Sequence, residues 1–218
     1  MEFHQPASKQ KGDLISGTAF FSEKIMSLEK FDSKYIPDLV QRVVSMWTPP
    51  DASDDFRHKY AEAIIRQNSA DNDMQFMHTS NDKLLAITFS ETKNEHNSAT
   101  EWLEQQFANS TEEEKKMLNV SRDYLTMMDN KTFAYMSADD VKLSLFISCI
   151  KGEGKKILDE TIAFYKSRGF KNMYLWTDCD CNVDWYVSHG YELVEEGTFD
   201  AFSREGEEYK TYVFRMGL

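Results

Sequence analysis

Glycine and lysine are concentrated at one junction of the chain, residues 149–156, which read CIKGEGKK. A strand-like apolar run ends just before this junction, and a helical pattern begins after Gly154. The first N–H groups of a helix lack partners within the helix and lie at its positive dipole end, so they attract anions. Glycines let the backbone approach an anion closely, and Lys151, Lys155 and Lys156 add positive charge. The junction therefore predicts a phosphate or pyrophosphate site; the alternative is a plain glycine turn with solvated lysines.

Two common glycine-rich nucleotide motifs do not fit this junction. A P-loop would need a glycine at the position of Cys149 and Ser or Thr at that of Lys156. A dinucleotide-binding fingerprint would need its third glycine at the position of Ile157, and it lies early in a βαβ unit. ATP and NAD are therefore not the expected ligands.

Hydrophobic periodicity divides the chain into strands and helices that must position this junction. The predicted strands are 24–31, 74–78, 84–91, 132–136, 141–148, 172–177, 191–196 and 209–216. The predicted helices are 35–47, 54–67, 155–168 and 183–189. Strands followed by crossover helices predict an α/β (α+β) mixed sheet with some parallel pairing. We expect one domain over residues 1–218, with 1–23 as a polar N-terminal extension.

A strongly polar segment, residues 92–130, separates two of the predicted strands. It is predicted to form two amphipathic helices, and Ser110 with Glu113 has the capping-box spacing of the second helix start. Three interpretations of this helical insertion stay open. It would form a lid or wall over a substrate, a peripheral insertion, or a contact between two copies of the chain in a homodimer.

Composition bears on the class of partner. The formal net charge of −12 disfavours nucleic-acid binding, which needs a basic face. The same charge favours a cationic small substrate through long-range attraction, which salt weakens. The sequence contains no apolar run long enough for a membrane span, and its first residues lack the apolar core of a secretory signal.

The chain has three cysteines, and their odd number argues against a disulfide framework and for a reducing, cytoplasmic location. Cys179 and Cys181 have C-x-C spacing, but no further Cys or His completes a metal site. Cys149 adjoins the expected anion site, where positive charge would lower the pKa of its thiol.

Two stretches of the chain carry a family resemblance: GEGKKILDETIAFYKSRGFKNMYLWT, residues 152–177, and WYVSHGYELVEEG, residues 185–197. Together they resemble the GNAT superfamily of acyl-CoA-dependent acetyltransferases. In that family the loop has the form Q/R-x-x-G-x-G/A. Gly152 and Gly154 match its glycines, and Cys149 replaces the leading Gln or Arg.

The second stretch carries a further signature of that family, a tyrosine four residues before a glycine on a short helix. Tyr186 and Gly190 match this spacing, and Asn182 resembles the asparagine that many members carry at the start of the helix. The resemblance is specific over about residues 141–195 and implies a GNAT-like fold with splayed central parallel strands.

The resemblance also implies acetyl-CoA as co-substrate, without a metal. The pyrophosphate would lie on the backbone N–H groups of Ile150, Lys151, Gly152, Glu153, Gly154 and Lys155. Lys155 or Lys156 would meet the ribose phosphate, and Asn182 is grouped with these cofactor-binding residues. Pantetheine would fill the gap between the fourth and fifth strands of the family fold. Backbone groups near Phe146, Ile147 and Ser148 would hold it there and polarise the thioester carbonyl.

Transfer to an amine requires that the amine loses a proton and that the leaving thiolate gains one. Tyr186 is the candidate acid, since the pKa of a phenol, about 10, is not far above that of a thiol, about 8.5. The alternative is a tyrosine ring packed on the sheet. The base stays open among Asp139, Asp140, Glu91, His78, Asp178 and water.

The predicted function is therefore N-acetyl transfer from acetyl-CoA to a primary amine by direct attack. The acceptor is unknown, and a small amine is favoured. Aromatic residues in and beside the insertion would suit an amine with an apolar body; they are Trp102, Phe107, Tyr124, Phe133 and Tyr135. Two alternatives remain, a non-catalytic CoA- or acyl-CoA-binding sensor module and a nucleotide-binding α/β protein outside the family.

Overall fold

The computed structural model describes residues 28–93, 95–97 and 99–218. The predicted extension 1–23 and residues 24–27 of the first predicted strand lie outside the described residues. The strands are β1 (Glu29–Lys30), β2 (Gln75–Ser80), β3 (Lys83–Glu91), β4 (Asp140–Ser148), β5 (Asn172–Asp178), β6 (Glu192–Thr198) and β7 (Lys210–Gly217). The helices are α1 (Ile36–Trp47), α2 (Asp54–Gln67), α3 (Ala99–Phe107), α4 (Glu112–Tyr135), α5 (Glu153–Arg168) and α6 (Val183–Ser188).

These strands form one sheet in the order β1-β2-β3-β4-β5-β7-β6. The neighbouring strands are antiparallel except β4 and β5, which are parallel and are joined by the crossover helix α5. The mixed α/β sheet expected from the sequence is therefore confirmed. No helix in the described part of the chain combines the length and the apolar character needed to cross a membrane.

The parallel pair β4–β5 separates soon after it begins. Only Asp140–Lys142 pair with residues 172–174, and the strands diverge beyond that point. On its other edge, β4 carries one extra residue relative to β3, because Phe89 pairs with Leu145 while Ser90 pairs with Leu143. Ser144 is thus a β-bulge, which bends a strand and re-aims its side chains. The bulge lies where β4 parts from β5.

Local sequence signals account for several helix ends. The Ser53 side chain caps α2 by accepting a hydrogen bond from the N–H of Phe56 at 3.3 Å. Gly169 ends α5 in the left-handed conformation, with φ of 82°. The capping box of α4 uses Thr111 and Glu114, one residue later than predicted, because the run of glutamates allows either register.

The insertion between β3 and β4 is longer and more helical than predicted. The predicted strand 132–136 is wrong, since these residues continue α4, whose last residue is Tyr135. Aromatic and β-branched residues favoured a strand, but Met128 and Thr132 continue the helical spacing of the buried face. The buried residues of α4 belong to the hydrophobic core, so this helix is not peripheral.

Two hydrophobic clusters hold the sheet between helices. The larger contains residues of α1, α2, α3 and α4, and the smaller contains residues of α5. Tyr165 of α5 is fully buried in the smaller cluster, and its hydroxyl is hydrogen-bonded to the Ser90 hydroxyl of β3. Burial raises the pKa of Tyr165 far above its ordinary value, although the bond to Ser90 opposes this shift.

We expect the stability contribution of Tyr165 to be complete below about pH 10 and to fall as the pH rises further. Above about pH 10 the unfolded chain releases the phenol proton while the folded chain keeps it, so unfolding is favoured. Tyr165→Phe should make the decline of the free energy of unfolding shallower by about 1.4 kcal/mol per pH unit above pH 10. Urea denaturation between pH 8 and pH 11 measures this slope, and parallel slopes for the two proteins would contradict the assignment.

Candidate active site

A cleft of about 830 Å³ opens where β4 and β5 diverge. Its walls include residues 143–146 of β4, residues 175–181 at the end of β5, and Tyr186 of α6. Further walls come from the α1–α2 junction (46–50), from α4, and from the β6–β7 connection (201–204 and 207–210). The cleft thus combines the exposed edge of β4 with surfaces from distant parts of the chain.

Beyond Lys142, the edge of β4 that faces this gap pairs with no other strand in the described part of the chain. The N–H of Cys149 donates to the Leu85 carbonyl on the β3 side at 2.7 Å. Since successive residues of a strand present their backbone groups to opposite sides, those of Phe146 and Ser148 face the gap. The side chain of Ile147, by contrast, is buried in the larger core cluster. A linear ligand could therefore pair with β4 at alternate residues.

The two glycines of the junction have different structural roles. Gly152 precedes α5 in the left-handed conformation, with φ of 91°, and an added Cβ would meet nothing within 4 Å. A Cβ on Gly154 would lie 2.8 Å from the Cβ of Ser148, so helix packing requires a glycine there. Gly152 therefore faces open space and Gly154 faces the sheet.

Most N–H groups predicted to hold a pyrophosphate lack an acceptor. The N–H of Gly154 donates to the Ser148 hydroxyl at 3.0 Å, and that of Glu153 donates to the Ile150 carbonyl at 3.2 Å. The remaining predicted donors have no acceptor among the described residues; they are the N–H groups of Ile150, Lys151, Gly152 and Lys155. These donors cluster at the start of α5, where the helix dipole favours an anion.

The three lysines of the junction differ in their ion pairs. Lys155 pairs with Asp159 at 2.6 Å, and Lys156 pairs with Glu153 at 2.5 Å. Lys151 is exposed and makes no ion pair within the described ranges. Lys151 is therefore the lysine whose charge is least compensated, although the sequence favoured Lys155 and Lys156 for the phosphate of the ribose.

Tyr186 lies on α6, packed on the sheet beside the cleft. Its ring stacks on Phe214 at 5.5 Å between centroids and meets the ring of Tyr191 edge-on at 5.3 Å. Its hydroxyl makes no hydrogen bond to another described residue. Burial, followed by the nearby Cys181 and Asp178, raises the pKa of Tyr186 to about 12. The phenol therefore remains protonated at neutral pH, and the ring is packed as well.

Asn182 begins α6 and has a local structural role. Its side-chain oxygen accepts a hydrogen bond from the Trp185 N–H at 3.3 Å, which caps the helix. The capping bond fixes the direction of the helix that carries Tyr186. A contact of Asn182 with the cofactor remains a prediction.

Of the five candidate bases, Asp178 alone lines the cleft. It ends β5 and is 8% exposed. Its carboxylate accepts hydrogen bonds from the Tyr124 hydroxyl at 2.9 Å and from the Asp180 N–H at 3.2 Å. The other four are engaged elsewhere: Asp139 pairs with Lys171, Asp140 accepts from Ser137 and Asn172, Glu91 pairs with Lys142, and His78 pairs with Glu160.

The aromatic residues expected to suit an amine acceptor mostly lie outside the cleft. Of the five, only Tyr124 lines it. Trp102 lies under Arg66, Phe133 lies under Lys142, Phe107 packs on the core, and Tyr135 is exposed. The aromatic walls come instead from Trp176, Phe202 and Tyr209, whose distances in sequence concealed their proximity.

Cys149 and Cys181 do not have activated thiols. The expectation of a lowered pKa for Cys149 is wrong, because burial raises it more than the nearby Arg42 lowers it. Burial and then Asp178 raise the pKa of Cys181 to about 11. Within residues 28–93, 95–97 and 99–218, no group of three or more His, Cys, Asp or Glu side chains is arranged to hold a metal.

Comparison with known proteins identifies the fold by structure and not by sequence. No protein-family model matches the chain, and no curated protein matches it. The C-terminal condensation domain of Ebony, solved in complex with beta-alanyl-dopamine, is 7% identical, with a TM-score of 0.58 over 88% of this chain and 98% of that one. Ard1 from Thermoplasma volcanium is 8% identical, with a TM-score of 0.51 over 88% and 97%. The ribosomal-protein-S18-alanine N-acetyltransferase from Escherichia coli is 11% identical, with a TM-score of 0.50 over 88% and 92%.

Proposed function

We propose that this chain, which has the fold of the GNAT acetyltransferases, transfers an acetyl group from acetyl-CoA to a primary amine. The observation that carries the proposal is the divergence of β4 from β5 at the Ser144 bulge. The divergence opens a cleft along β4. β4 leads directly to the N–H groups at the start of α5 that lack an acceptor among the described residues. A nucleotide-linked thioester needs both an anion site and an extended channel.

In this proposal the start of α5 binds the pyrophosphate. The free N–H groups of Ile150, Lys151, Gly152 and Lys155 would donate to its oxygens, and Lys151 would offset its charge. Pantetheine would follow β4 and bond to the backbone of Phe146 and Ser148. A backbone N–H aimed at the thioester oxygen would stabilise the charge that develops during attack.

The amine would attack the thioester carbonyl directly, with Tyr186 as the proton donor to the leaving thiolate. Because the pKa of Tyr186 is raised to about 12, full proton transfer to an ordinary thiolate would be uphill. The thiolate would leave into the same partly desolvated cleft, which raises its own pKa and reduces the mismatch. Holding both reactants in one cleft removes much of the entropic barrier.

Calorimetry with acetyl-CoA tests the cofactor site. Lys151→Glu should weaken binding on the order of tenfold, because it places a negative charge beside the pyrophosphate. Lys166→Glu makes the same change on an exposed lysine in the last turn of α5 and should leave binding unchanged. Equal dissociation constants for both variants would refute this placement. Gly154 is a poor position for the test, because any side chain there collides with Ser148.

Release of free thiol from acetyl-CoA in the presence of a panel of primary amines tests the reaction. Binding of acetyl-CoA together with thiol release is the expected result. Binding without turnover by any amine would favour the CoA-binding sensor. Absence of binding would refute the proposed function.

A further inference from the structure

One part of the cleft wall is a cluster of aromatic rings beside a carboxylate. The ring of Tyr124 lies 5.6 Å from that of Trp176, 5.1 Å from that of Phe202 and 6.0 Å from that of Tyr209. The rings of Phe202 and Tyr209 are 5.3 Å apart. All four side chains line the cleft, and α4, β5 and the β6–β7 connection supply them. Aromatic faces attract cations and flat apolar groups.

Asp178 lies among these rings without a compensating cation. It is buried, and no Lys, Arg or His in the described ranges pairs with it. The Tyr124 hydroxyl and the Asp180 N–H donate to it, and the Tyr209 hydroxyl and the Cys181 thiol also interact with it. These four groups are neutral donors, so none of them supplies a positive charge. A buried carboxylate without a counter-ion is unfavourable unless a bound cation completes the site.

The other charged residues around the cleft also favour a cationic ligand. The cleft is also lined by three acidic residues, Asp180, Glu207 and Glu208, and by two basic residues, Arg204 and Lys210. Lys210 is already paired with Glu196 at 2.9 Å. The cleft therefore keeps an excess of negative charge, in a chain of net charge −12.

Resting on the proposed function, we propose that the acceptor is a cationic primary amine on a flat aromatic or apolar body, with its ammonium group bound by Asp178. The amine body would lie against the cleft-facing sides of the packed rings of Tyr124, Phe202 and Tyr209. The ammonium group would supply the positive charge that Asp178 lacks among the described residues. Asp178 would orient the nitrogen toward the gap between β4 and β5.

The proton balance of this arrangement is complete. The ammonium bound by Asp178 first releases one proton to solvent, and the nitrogen lone pair then forms the C–N bond. The C–S bond breaks, and the thiolate takes the phenol proton of Tyr186. The second proton of the amine nitrogen restores that phenol through solvent. One proton is released overall, as the conversion of an ammonium and a thioester to an amide and a thiol requires.

A panel of acceptors tests this inference on the unmodified protein. 2-Phenylethylamine should exceed three probes in kcat/KM by at least tenfold, because each probe lacks one feature. Butylamine lacks the ring, phenylalanine adds a carboxylate beside the amine, and aniline is uncharged at neutral pH. Acetylation of phenylalanine or butylamine as fast as that of 2-phenylethylamine would overturn the inference.

Asp178→Asn tests the residue itself. It keeps the shape of the side chain and should lower kcat/KM for 2-phenylethylamine about 10- to 100-fold, mainly through KM, without a change in acetyl-CoA affinity. Glu192→Gln removes the same charge from an exposed ion pair with Arg215 outside the cleft and should have no effect. Calorimetric titration of 2-phenylethylamine onto the CoA-bound protein gives the same comparison without turnover.

The outcomes separate the two proposals. If acetyl-CoA binds and amines are acetylated but Asp178→Asn and Glu192→Gln behave alike, only the acceptor inference fails. If acetyl-CoA does not bind and no amine releases thiol, the proposed function fails and the inference fails with it. Should Asp178→Asn not fold, the acceptor panel on the unmodified protein still decides.

Discussion

Tyr186→Phe is expected to lower kcat by about 10²- to 10⁴-fold while the affinity for acetyl-CoA changes little. The substitution keeps the ring, which stacks on Phe214 and meets the edge of Tyr191, so packing should be retained. It removes only the hydroxyl, which has no hydrogen-bond partner within the described part of the chain. Single-turnover release of free thiol measures the chemical step and excludes product release.

Tyr212→Phe is the matched control for this prediction. Tyr212 lies on the same side of the sheet as Tyr186, and its ring also stacks on that of Phe214, with 6.4 Å between the ring centroids. Unlike Tyr186, it does not line the cleft. Its substitution should leave kcat within about twofold, as is usual away from the reacting atoms. Equal rates for Tyr186→Phe and the unmodified protein would identify Tyr186 as a packing residue, and another group or water would then protonate the thiolate.

The pH dependence offers a second check on the same residue. A proton donor must be protonated, and burial raises the pKa of Tyr186 to about 12. The activity that depends on this phenol should therefore persist through pH 10 and be lost only as the pH approaches 12. A decline centred near pH 10 that is absent from Tyr186→Phe would show that the phenol is not desolvated during turnover.

Signals within short stretches of sequence identified the part of the fold around the proposed cofactor site. The strand, glycine junction and helix over residues 141–168 follow from periodicity and from Gly152 and Gly169, whose roles are local. The predicted strand 132–136 failed because its composition favoured a strand while its spacing continued a helix. Composition is the weaker signal where a long helix continues into the core.

The side of the cleft proposed to bind the acceptor was beyond prediction for a different reason. Tyr124, Trp176 and Tyr209 meet only because α4, β5 and the β6–β7 connection converge on one place. Nothing in the spacing of these residues signals that convergence. Asp178 was one of five acidic or basic candidates in the sequence, and only the fold separates it from the other four.

Lys142→Met is expected to lower the free energy of unfolding by about 3–5 kcal/mol. Lys142 is fully buried at the last paired position of β4 and β5. Its ammonium group pairs with Glu91 at 2.6 Å and with Asp129. The methionine would leave the buried carboxylate of Glu91 and the partly buried carboxylate of Asp129 without a cation. Urea denaturation at neutral pH measures the loss.

Lys171→Met provides the matched control, because Lys171 also pairs with a carboxylate, Asp139, at 2.5 Å, but its side chain is 70% exposed. Its loss should change the free energy of unfolding by less than about 1 kcal/mol, as is typical of surface pairs. If both substitutions had this small effect, the buried cluster would be too well hydrated to act as an ion network.

The Lys142 cluster, which consists of Lys142, Glu91 and Asp129, lies where the parallel strands β4 and β5 separate. Asp129 of α4 also accepts a hydrogen bond from the indole N–H of Trp176 at 2.8 Å, and the Ser144 hydroxyl donates to Glu91 at 2.8 Å. The cluster thus joins β3, β4, β5 and α4 around the point where the parallel strands part.

Replacing Glu91 and Asp129 by neutral isosteres together with Lys142→Met should recover part of the lost stability, because no charge is then left unpaired. The same triple variant should still bind acetyl-CoA less tightly than the unmodified protein, since the strands that enclose the gap would lose the bonds that set their divergence. Unchanged affinity in that variant would show that the bulge at Ser144 alone determines where β4 and β5 separate.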